Sequence, residues 1–198
     1  MELTKEKIDA WIERAYRNAC EHGFHEENHP LEHLLMLVVT EVSEAVEAHR
    51  RGKRALYRTF NIESTSKQPV GNEDKHWKYC FEIFIKNSVG DELSDVCIRL
   101  FDIYGKEGLW YGNGITPNNQ DEGYKQWEED FGKLNFTQIA FEFIGGIMES
   151  YKDNCIFFDY LVFFIFCWAE HLGIDLAWHI EQKMRYNSMR ERKHGKLY

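Results

Sequence analysis

The chain has 198 residues, carries a formal net charge of −9 and is 43% hydrophobic. This composition suffices for a packed core and excludes an intrinsically disordered chain, and the length allows one sizeable domain or two small ones. The negative charge argues against general binding to nucleic acid or to an anionic membrane, because both are themselves negatively charged. The cysteines are scattered without a CxxC pair, and the charged start, "MELTKEKIDA", does not resemble a signal peptide, so we expect a cytoplasmic protein with reduced thiols.

Apolar residues recur at helical spacing along most of the chain, and no segment shows the alternation that is typical of a strand. The predicted helices cover residues 4–22, 31–50, 76–104, 135–150, 153–172 and 174–187. Two stretches rich in glycine and polar residues, 52–74 and 105–133, are predicted to be loops. We therefore predict an all-α helical bundle that forms a single domain over residues 1–198, with two loop-like insertions at about 53–75 and 105–134.

The most apolar run of the chain, "CIFFDYLVFFIFCWAEHLGI", is interrupted by Asp159 and Glu170. The two acids favour a buried helix over a membrane span, so we expect no membrane partner. The aromatic residues of this run can supply an oligomer interface, although packing within the chain is the simpler account.

Two acidic pairs interrupt the apolar faces of two predicted helices. Glu41 and Glu44 follow the run "LLMLVV" in the second helix, and Glu92 and Asp95 lie on the third. Residues three apart share a helix face, so each pair lies on or beside the stripe that its helix is expected to bury. Like charges there repel each other and lose hydration unless a cation lies between them. If the two helices meet in an antiparallel bundle, the four carboxylates converge, and an all-oxygen cluster suits Mg²⁺ or Mn²⁺.

The alternative is that these acids are ordinary solvated residues. Acids three apart are common on exposed helix faces, and the apolar stripe of the second helix is broad enough to place Glu44 at its edge. Two such pairs on two apolar helices strengthen the metal-binding interpretation, and the residues alone leave both interpretations open. The chain contains neither a GxxxxGK[ST] phosphate loop nor a GxSxG nucleophile motif.

The acidic pairs form a Glu-x-x-Glu motif at residues 41–44 and a Glu-x-x-Asp motif at residues 92–95. Together they resemble the signature of the all-α NTP pyrophosphohydrolase superfamily, which includes the MazG-like and dUTPase-like enzymes. Three further segments are similar to one phage and bacterial branch of the MazG-like proteins: "HGFHEEN", "GDELSDVCIRLFD" and "GIDLAWHIEQKMRYNSMRERKHGK". The resemblance covers about half of the chain, and the separation of the two motifs is longer than in compact members, which indicates an insertion.

The resemblance implies a Mg²⁺-dependent hydrolase, with Mn²⁺ as a possible substitute for the metal. Such an enzyme cleaves a nucleoside triphosphate between its α and β phosphates and yields a nucleoside monophosphate and pyrophosphate. By motif position, the implied metal ligands are Glu41, Glu44, Glu92 and Asp95. Glu41 and Glu44 are also the implied catalytic candidates, since one glutamate is expected to hold the attacking water, and the sequence leaves open which.

A basic segment near the C-terminus offers cations for a triphosphate, which an acidic site cannot bind alone. Lys183, Asn187 and Arg190 follow one another at helical spacing and therefore share one helix face. The candidate phosphate-binding residues of this segment, which matches the terminal pattern of the MazG-like branch, are Lys183, Asn187, Arg190, Lys193, His194 and Lys196. The alternative is a solvated basic tail, which is the usual fate of such charge runs.

Recognition of a base requires polar groups and an aromatic surface. Glu26 and Asn28, in the polar linker between the first two helices, are candidates to contact a base edge. Trp11 is a candidate to stack on the base, with membership of the core as the alternative.

The sequence therefore predicts a nucleoside triphosphate pyrophosphohydrolase that has no nucleic-acid or membrane partner. Because small bundles of this superfamily are often dimers or tetramers, we expect a homodimer or homotetramer. One alternative is a hydrolase with the same site and another pyrophosphate-containing substrate, such as a nucleotide sugar or an alarmone. Another is a non-catalytic helical module that uses the metal cluster for folding or for nucleotide sensing.

Overall fold

The computed structural model describes residues 3–66, 71–109, 122–152 and 158–195. Over these ranges the chain is helical and contains no strand, which confirms the all-α class. In chain order the helices are α1 Lys5–Glu21, α2 Leu31–Arg50, α3 Tyr57–Ser64, α4 Glu73–Phe84, α5 Val89–Glu107, α6 Glu122–Phe131, α7 Phe136–Lys152, α8 Phe158–His171 and α9 Leu176–Ser188, followed by a short 3-10 turn at Arg192–Gly195.

Helix α5 is the central element, and it packs against α1, α2, α8 and α9. Leu93, Val96 and Leu100 are completely buried along it, because neighbouring helices surround it. The helix begins at the N-cap Ser88, whose Oγ accepts a hydrogen bond from the Asp91 N–H at 3.3 Å. Because α5 is central, polar residues on its surface are also enclosed by the neighbouring helices. The candidate site lies at these enclosed polar residues.

A second, smaller core lies beside the main one and joins α3, α4 and α9. Phe60 of α3 packs edge-on against Trp77 of α4 with ring centroids 5.8 Å apart, and Phe81 stacks on Tyr186 of α9 at 4.7 Å. Burial of these rings fixes α9 against α4 and so positions the basic residues that α9 carries.

Helix α8 contains most of the described part of the most apolar run of the sequence. Its residues 161–169 are all buried inside the bundle, as the two interrupting acids predicted. No single helix in the described ranges is both long and apolar enough to cross a membrane. Only α8 and α9 taken together pass that test, and they are bent by 111° at the break between them.

The predicted single helix over residues 76–104 is wrong, because the structure divides this segment into α4 and α5. Asn87 lies between them with a φ of 60°, in the left-handed region that asparagine tolerates better than most residues. The adjacent Ser88 then caps α5. The break directs α5 through the centre of the bundle, while α4 joins the smaller core.

The predicted loops at 52–74 and 105–133 each contain a helix. Helix α3 lies in the first stretch, and α6 lies in the second, where Phe131 packs on Phe164 with ring centroids 5.1 Å apart. Tertiary burial of aromatic side chains outweighs the weak helix propensity of these glycine-rich and polar stretches. Residues 67–70 of the first stretch and residues 110–121 of the second lie outside the described residues.

Candidate functional site

The four predicted acids lie together. Glu41 and Glu44 of α2 and Glu92 and Asp95 of α5 line one cavity of about 240 Å³. One carboxylate oxygen from each of Glu41, Glu44 and Glu92 lies within 4.8 Å of the others, and the same holds for Asp91, Glu92 and Asp95. Glu92 belongs to both groups, so it is the centre of a continuous carboxylate cluster between the two helices.

The apolar stripe of α2 explains the position of its two acids. Val38, Val42 and Ala45 are completely buried against the core, and Glu41 shares their face, so its side chain is buried with them. Glu44 is exposed and lies at the edge of the stripe, at the cavity. One glutamate is therefore fixed inside the bundle, and the other is accessible from solvent.

Lys183 supplies the positive charge beneath the cluster. Its Nζ lies 2.8 Å from Asp91 Oδ2 and 2.6 Å from Asp95 Oδ2, and its side chain is only 5% exposed. Burial alone lowers the pKa of a lysine, but the carboxylates of Asp91, Asp95 and Glu92 outweigh burial and raise it. Lys183 therefore stays charged and neutralises part of the cluster.

Asp91 was not among the predicted ligands, and its position explains why it differs from the others. It is completely buried, and its Oδ2 accepts hydrogen bonds from Lys183 Nζ and from the Asn87 N–H at 2.9 Å. These contacts tie the beginning of α5 to α9. Asp91 thus holds the two helices that carry the site, and burial raises its pKa.

The surroundings of Glu92 disfavour its ionisation. Burial, reinforced by Asp95, Asp91 and Glu44, raises the pKa of Glu92 to about 9, against the opposing effect of Lys183. Within the described ranges the Glu92 carboxylate makes no hydrogen bond or ion pair. A bound cation would offset the cost of ionising this group.

The donor set identifies the kind of cation that fits. Both groups of converging side chains offer only carboxylate oxygens, with no histidine or cysteine among them. Oxygen-only sites suit hard ions such as Mg²⁺ and Mn²⁺, whereas zinc sites use nitrogen and sulfur ligands. The residues present therefore fit the implied Mg²⁺.

Two cations that the sequence analysis missed also line the cavity. Arg99 donates from Nε to Glu41 Oε1 at 3.1 Å, and Lys86 donates from Nζ to the Tyr186 hydroxyl at 3.1 Å. Arg99 follows Asp95 by four residues on α5, so helical spacing alone could have placed it on the same face. Lys86 lies in the break between α4 and α5, which the sequence did not reveal.

The basic C-terminal residues divide into two groups. Lys183, Asn187 and Arg190 line the cavity, as their shared helix face predicts. Asn187 is buried, and its Oδ1 has no hydrogen-bond partner among the described residues. Lys193 instead lies 3.9 Å from Glu27 Oε1, and it does not line the cavity. The His194 side chain and Lys196 lie outside the described residues.

The interpretation of Lys183 as a phosphate clamp needs correction. Its ammonium group is already shared between Asp91 and Asp95, and the surrounding side chains enclose it. In this structure Lys183 balances carboxylate charge.

The predicted base-recognition residues do not come together at the cavity. Trp11 is buried between Phe101 and Phe166, at centroid distances of 5.9 and 6.2 Å, and its Nε1 donates to Glu181 Oε1. Trp11 is therefore a core residue, and the alternative weighed for it is correct. Glu26 pairs with Arg192, Asn28 is exposed, and neither lines the cavity. The α1 side of the cavity is formed instead by Ala15, Asn18 and Ala19.

Comparison with known proteins yields no match to any family model, to any curated protein or to any solved structure. The protein can therefore be classified only by its own fold and by the geometry of its site. The protein is an all-helical chain whose central helix and its neighbour enclose a carboxylate-lined cavity that fits a divalent cation.

Proposed function

We propose that the protein is a Mg²⁺-dependent nucleoside triphosphate pyrophosphohydrolase that releases a nucleoside monophosphate and pyrophosphate. One observation carries the proposal: two acidic pairs from α2 and α5 converge on one cavity that also contains Arg99, Lys86 and Arg190. Acids alone would repel a triphosphate, and cations alone would not activate water. Their combination in one cavity fits metal-assisted hydrolysis of a phosphate anhydride.

The residues proposed to hold the metal are Glu41, Glu44, Glu92 and Asp95. Bound Mg²⁺ supplies Lewis-acid polarisation of a phosphate group and lowers the pKa of coordinated water. Lys183 pairs with the Asp91 and Asp95 carboxylates, whereas the Glu92 carboxyl group has no cation partner among the described residues and is free to take a metal ion.

The remaining cations are proposed to contact the phosphates. Arg99 is held in place by Glu41, and Arg190 lies with its guanidinium carbon 5.7 Å from the Tyr186 ring centroid. Guanidinium groups match the geometry of phosphate oxygens, and a fixed position reduces the entropy lost on binding. The buried Asn187 amide lacks a partner for its Oδ1, so a ligand hydroxyl can complete its hydrogen bonding.

Glu44 is the better candidate of the two α2 acids to orient the attacking water. Glu41 is buried, and its carboxylate is already engaged by a hydrogen bond from Arg99. Glu44 is exposed and makes no hydrogen bond or ion pair within the described part of the chain. A solvent-accessible carboxylate at the cavity can accept a proton from water as the phosphorus–oxygen bond forms.

The test is release of pyrophosphate from a panel of ribo- and deoxyribonucleoside triphosphates in the presence of Mg²⁺, with the monophosphate measured in parallel. The test variant is Glu44→Gln, which removes one exposed charge with little change of shape. The control is Glu47→Gln, because Glu47 lies on the same helix, pairs with Arg50 and Arg51, and does not line the cavity.

The wild type and the control are expected to release equimolar pyrophosphate and monophosphate from at least one nucleotide. The Glu44→Gln variant should lose about 100-fold or more of that activity, as is typical when a proton acceptor is removed. Turnover of nucleotide sugars or alarmones alone would move the assignment to the alternative substrates. Nucleotide binding without turnover of any substrate would assign the non-catalytic module.

A further inference from the structure

A second cavity, of about 270 Å³, shares no lining residue with the carboxylate cavity. It lies where α3, the beginning of α5 and the beginning of α9 meet. Val89, Leu172 and Ile174 form apolar walls, and Tyr57 and His179 provide polar groups. Arg54 also lines the cavity and is exposed to solvent. The cavity therefore combines an apolar interior with a positive charge that a ligand can reach from outside.

The polar groups of this cavity are not fully satisfied by the protein. His179 is 1% exposed, and its Nε2 lies 2.7 Å from the Tyr57 hydroxyl. Its Nδ1 is also buried and has no hydrogen-bond partner in the described part of the chain. In either neutral tautomer of His179, Nδ1 lacks a hydrogen-bond partner, and this is unfavourable in a buried position.

The backbone beside the ring offers a further donor. In the first turn of α5 the Val89 N–H donates to Lys53 O, and the Asp91 N–H donates to Ser88 Oγ. The Gly90 N–H between them has no acceptor among the described residues. Gly90 also lines the cavity, and a Cβ there would lie 2.2 Å from His179 Nε2, so the missing side chain allows the ring to pack directly against this backbone.

Among the side chains that line the cavity, Arg54 carries a permanent positive charge, and it makes no ion pair within the described ranges. Asp175 does not line the cavity, although its charge acts on Tyr57 and His179. Its Oδ1 caps α9 by accepting a hydrogen bond from the Trp178 N–H at 3.0 Å. Burial lowers the pKa of His179 to about 4, so the imidazole is uncharged at neutral pH and the positive charge comes from Arg54.

We propose that this cavity binds a small organic anion that has a ring-sized apolar body and one carboxylate or phosphate group. The apolar body would lie against Val89, Leu172 and Ile174, and the anionic group would bind Arg54 and the Gly90 N–H. An apolar cavity of about 150 Å³ is large enough to bind benzene. A cavity of about 270 Å³ therefore accommodates one ring together with a charged group.

This site is independent of the proposed hydrolase activity, although it adjoins the same helices. Gly90 precedes Glu92 by two residues on α5, and His179 precedes Lys183 by one turn on α9. The binding test measures ligand affinity alone, so its result does not depend on whether the carboxylate cavity hydrolyses nucleotides.

The test is a fluorine NMR titration of the full chain with three compounds: para-fluorobenzoate, para-fluorophenyl phosphate and neutral para-fluorobenzyl alcohol. The test variant is Arg54→Gln, and the matched control is Arg58→Gln, since Arg58 is an exposed arginine of α3 that does not line the cavity. A third variant, Ala55→Leu, adds side-chain volume at a residue that lines the cavity.

At least one of the two anions is expected to bind with a Kd on the order of 1 mM or below, as suits a ligand of this size. The neutral alcohol should bind at least about tenfold more weakly. Arg54→Gln and Ala55→Leu should each weaken the anion about tenfold or more, and Arg58→Gln should not. Failure of both anions to bind, equal binding of the alcohol, or equal binding to Arg54→Gln and Arg58→Gln would overturn the proposal.

Discussion

Lys183 shows how one side chain determines the charge balance of the carboxylate cavity. It is enclosed by the bundle and shared between Asp91 and Asp95, so it replaces solvent as the partner of two acids. A buried charge of this kind is tolerated only with its partners, and its partners are tolerated only with it. The sequence predicted the helix face on which Lys183 lies, but it did not reveal that the ammonium group pairs with two acids.

Replacement of Lys183 by methionine should lower the free energy of unfolding by about 3 to 5 kcal/mol, because Asp91 and Asp95 lose their buried counter-charge. Urea denaturation at neutral pH measures the change. The control is Arg185→Met, since Arg185 pairs with Asp74 on the surface and should contribute no more than about 1 kcal/mol. Adding Asp91→Asn to Lys183→Met should recover part of the lost stability, because it removes one of the unpaired buried acids. Equal losses of stability in Lys183→Met and Arg185→Met would contradict the structural role of Lys183.

His179 makes stability depend on pH in a defined direction. Burial, with a smaller contribution from Lys183, lowers its pKa in the folded state from the ordinary 6.5 to about 4. The unfolded chain therefore takes up a proton at a pH where the folded chain does not. The free energy of unfolding should fall as pH drops from 6.5 towards 4 and should be unaffected by this group above 6.5.

The size of this loss is about 3 kcal/mol, at about 1.4 kcal/mol per unit of pKa. It can be measured by comparing the unfolding of the wild type and His179→Gln by urea at several pH values. The stability advantage of the wild type should shrink by about that amount between neutral pH and pH about 4. A difference between the two proteins that does not change with pH would contradict the buried, neutral histidine.

At the scale of the element, α5 is the helix on which the site depends. Its first turn packs so closely on α9 that Gly90 contacts the His179 ring directly. A glycine inside a helix normally costs about 1 kcal/mol relative to alanine. At Gly90 the close approach of α5 and α9 leaves no room for a side chain. At Gly145 in α7, by contrast, an added Cβ would have no atom within 4 Å.

The two glycines should therefore respond in opposite directions to the same substitution. Gly90→Ala should destabilise the fold by about 1 to 3 kcal/mol, because the new methyl group overlaps the imidazole. Gly145→Ala should stabilise it by about 0.5 to 1 kcal/mol through helix propensity alone. Thermal unfolding of both variants checks the pair, and stabilisation by Gly90→Ala would show that α5 and α9 are not packed as described.

The sequence was sufficient to predict that the chain is helical, but it predicted the boundaries of the helices only in part. The bounds of α2 were correct because a proline precedes it and a basic, glycine-containing turn follows it. The break between α4 and α5 was missed because apolar spacing continues across Asn87 and Ser88, although these two residue types are typical of a turn and an N-cap. Helix α3 was missed because its stability comes from burial of Phe60 in the smaller core.

The molecule as a whole has a net charge of −9, and it brings together acids that repel one another. The position of the acids relative to apolar stripes predicted that Glu41, Glu44, Glu92 and Asp95 lie together, but it did not predict that Asp91 joins them. The position of Arg99, Lys86 and Asp91 around them depends on how the helices pack, which spacing within one helix does not give. Trp11 was proposed as a ligand contact, but it packs on Phe101 and Phe166 in the core. An aromatic residue at helical spacing is more often part of the core than in contact with a ligand.

If the carboxylate cavity is a divalent metal centre, it binds Mn²⁺, and electron paramagnetic resonance measures this binding. The wild type and Glu47→Gln are expected to bind Mn²⁺ alike, Mg²⁺ should displace the bound Mn²⁺, and Glu44→Gln and Glu92→Gln should each weaken Mn²⁺ binding by about tenfold or more. Absence of Mn²⁺ binding, or equal binding to Glu47→Gln, Glu44→Gln and Glu92→Gln, would contradict the assignment of the metal to this cavity.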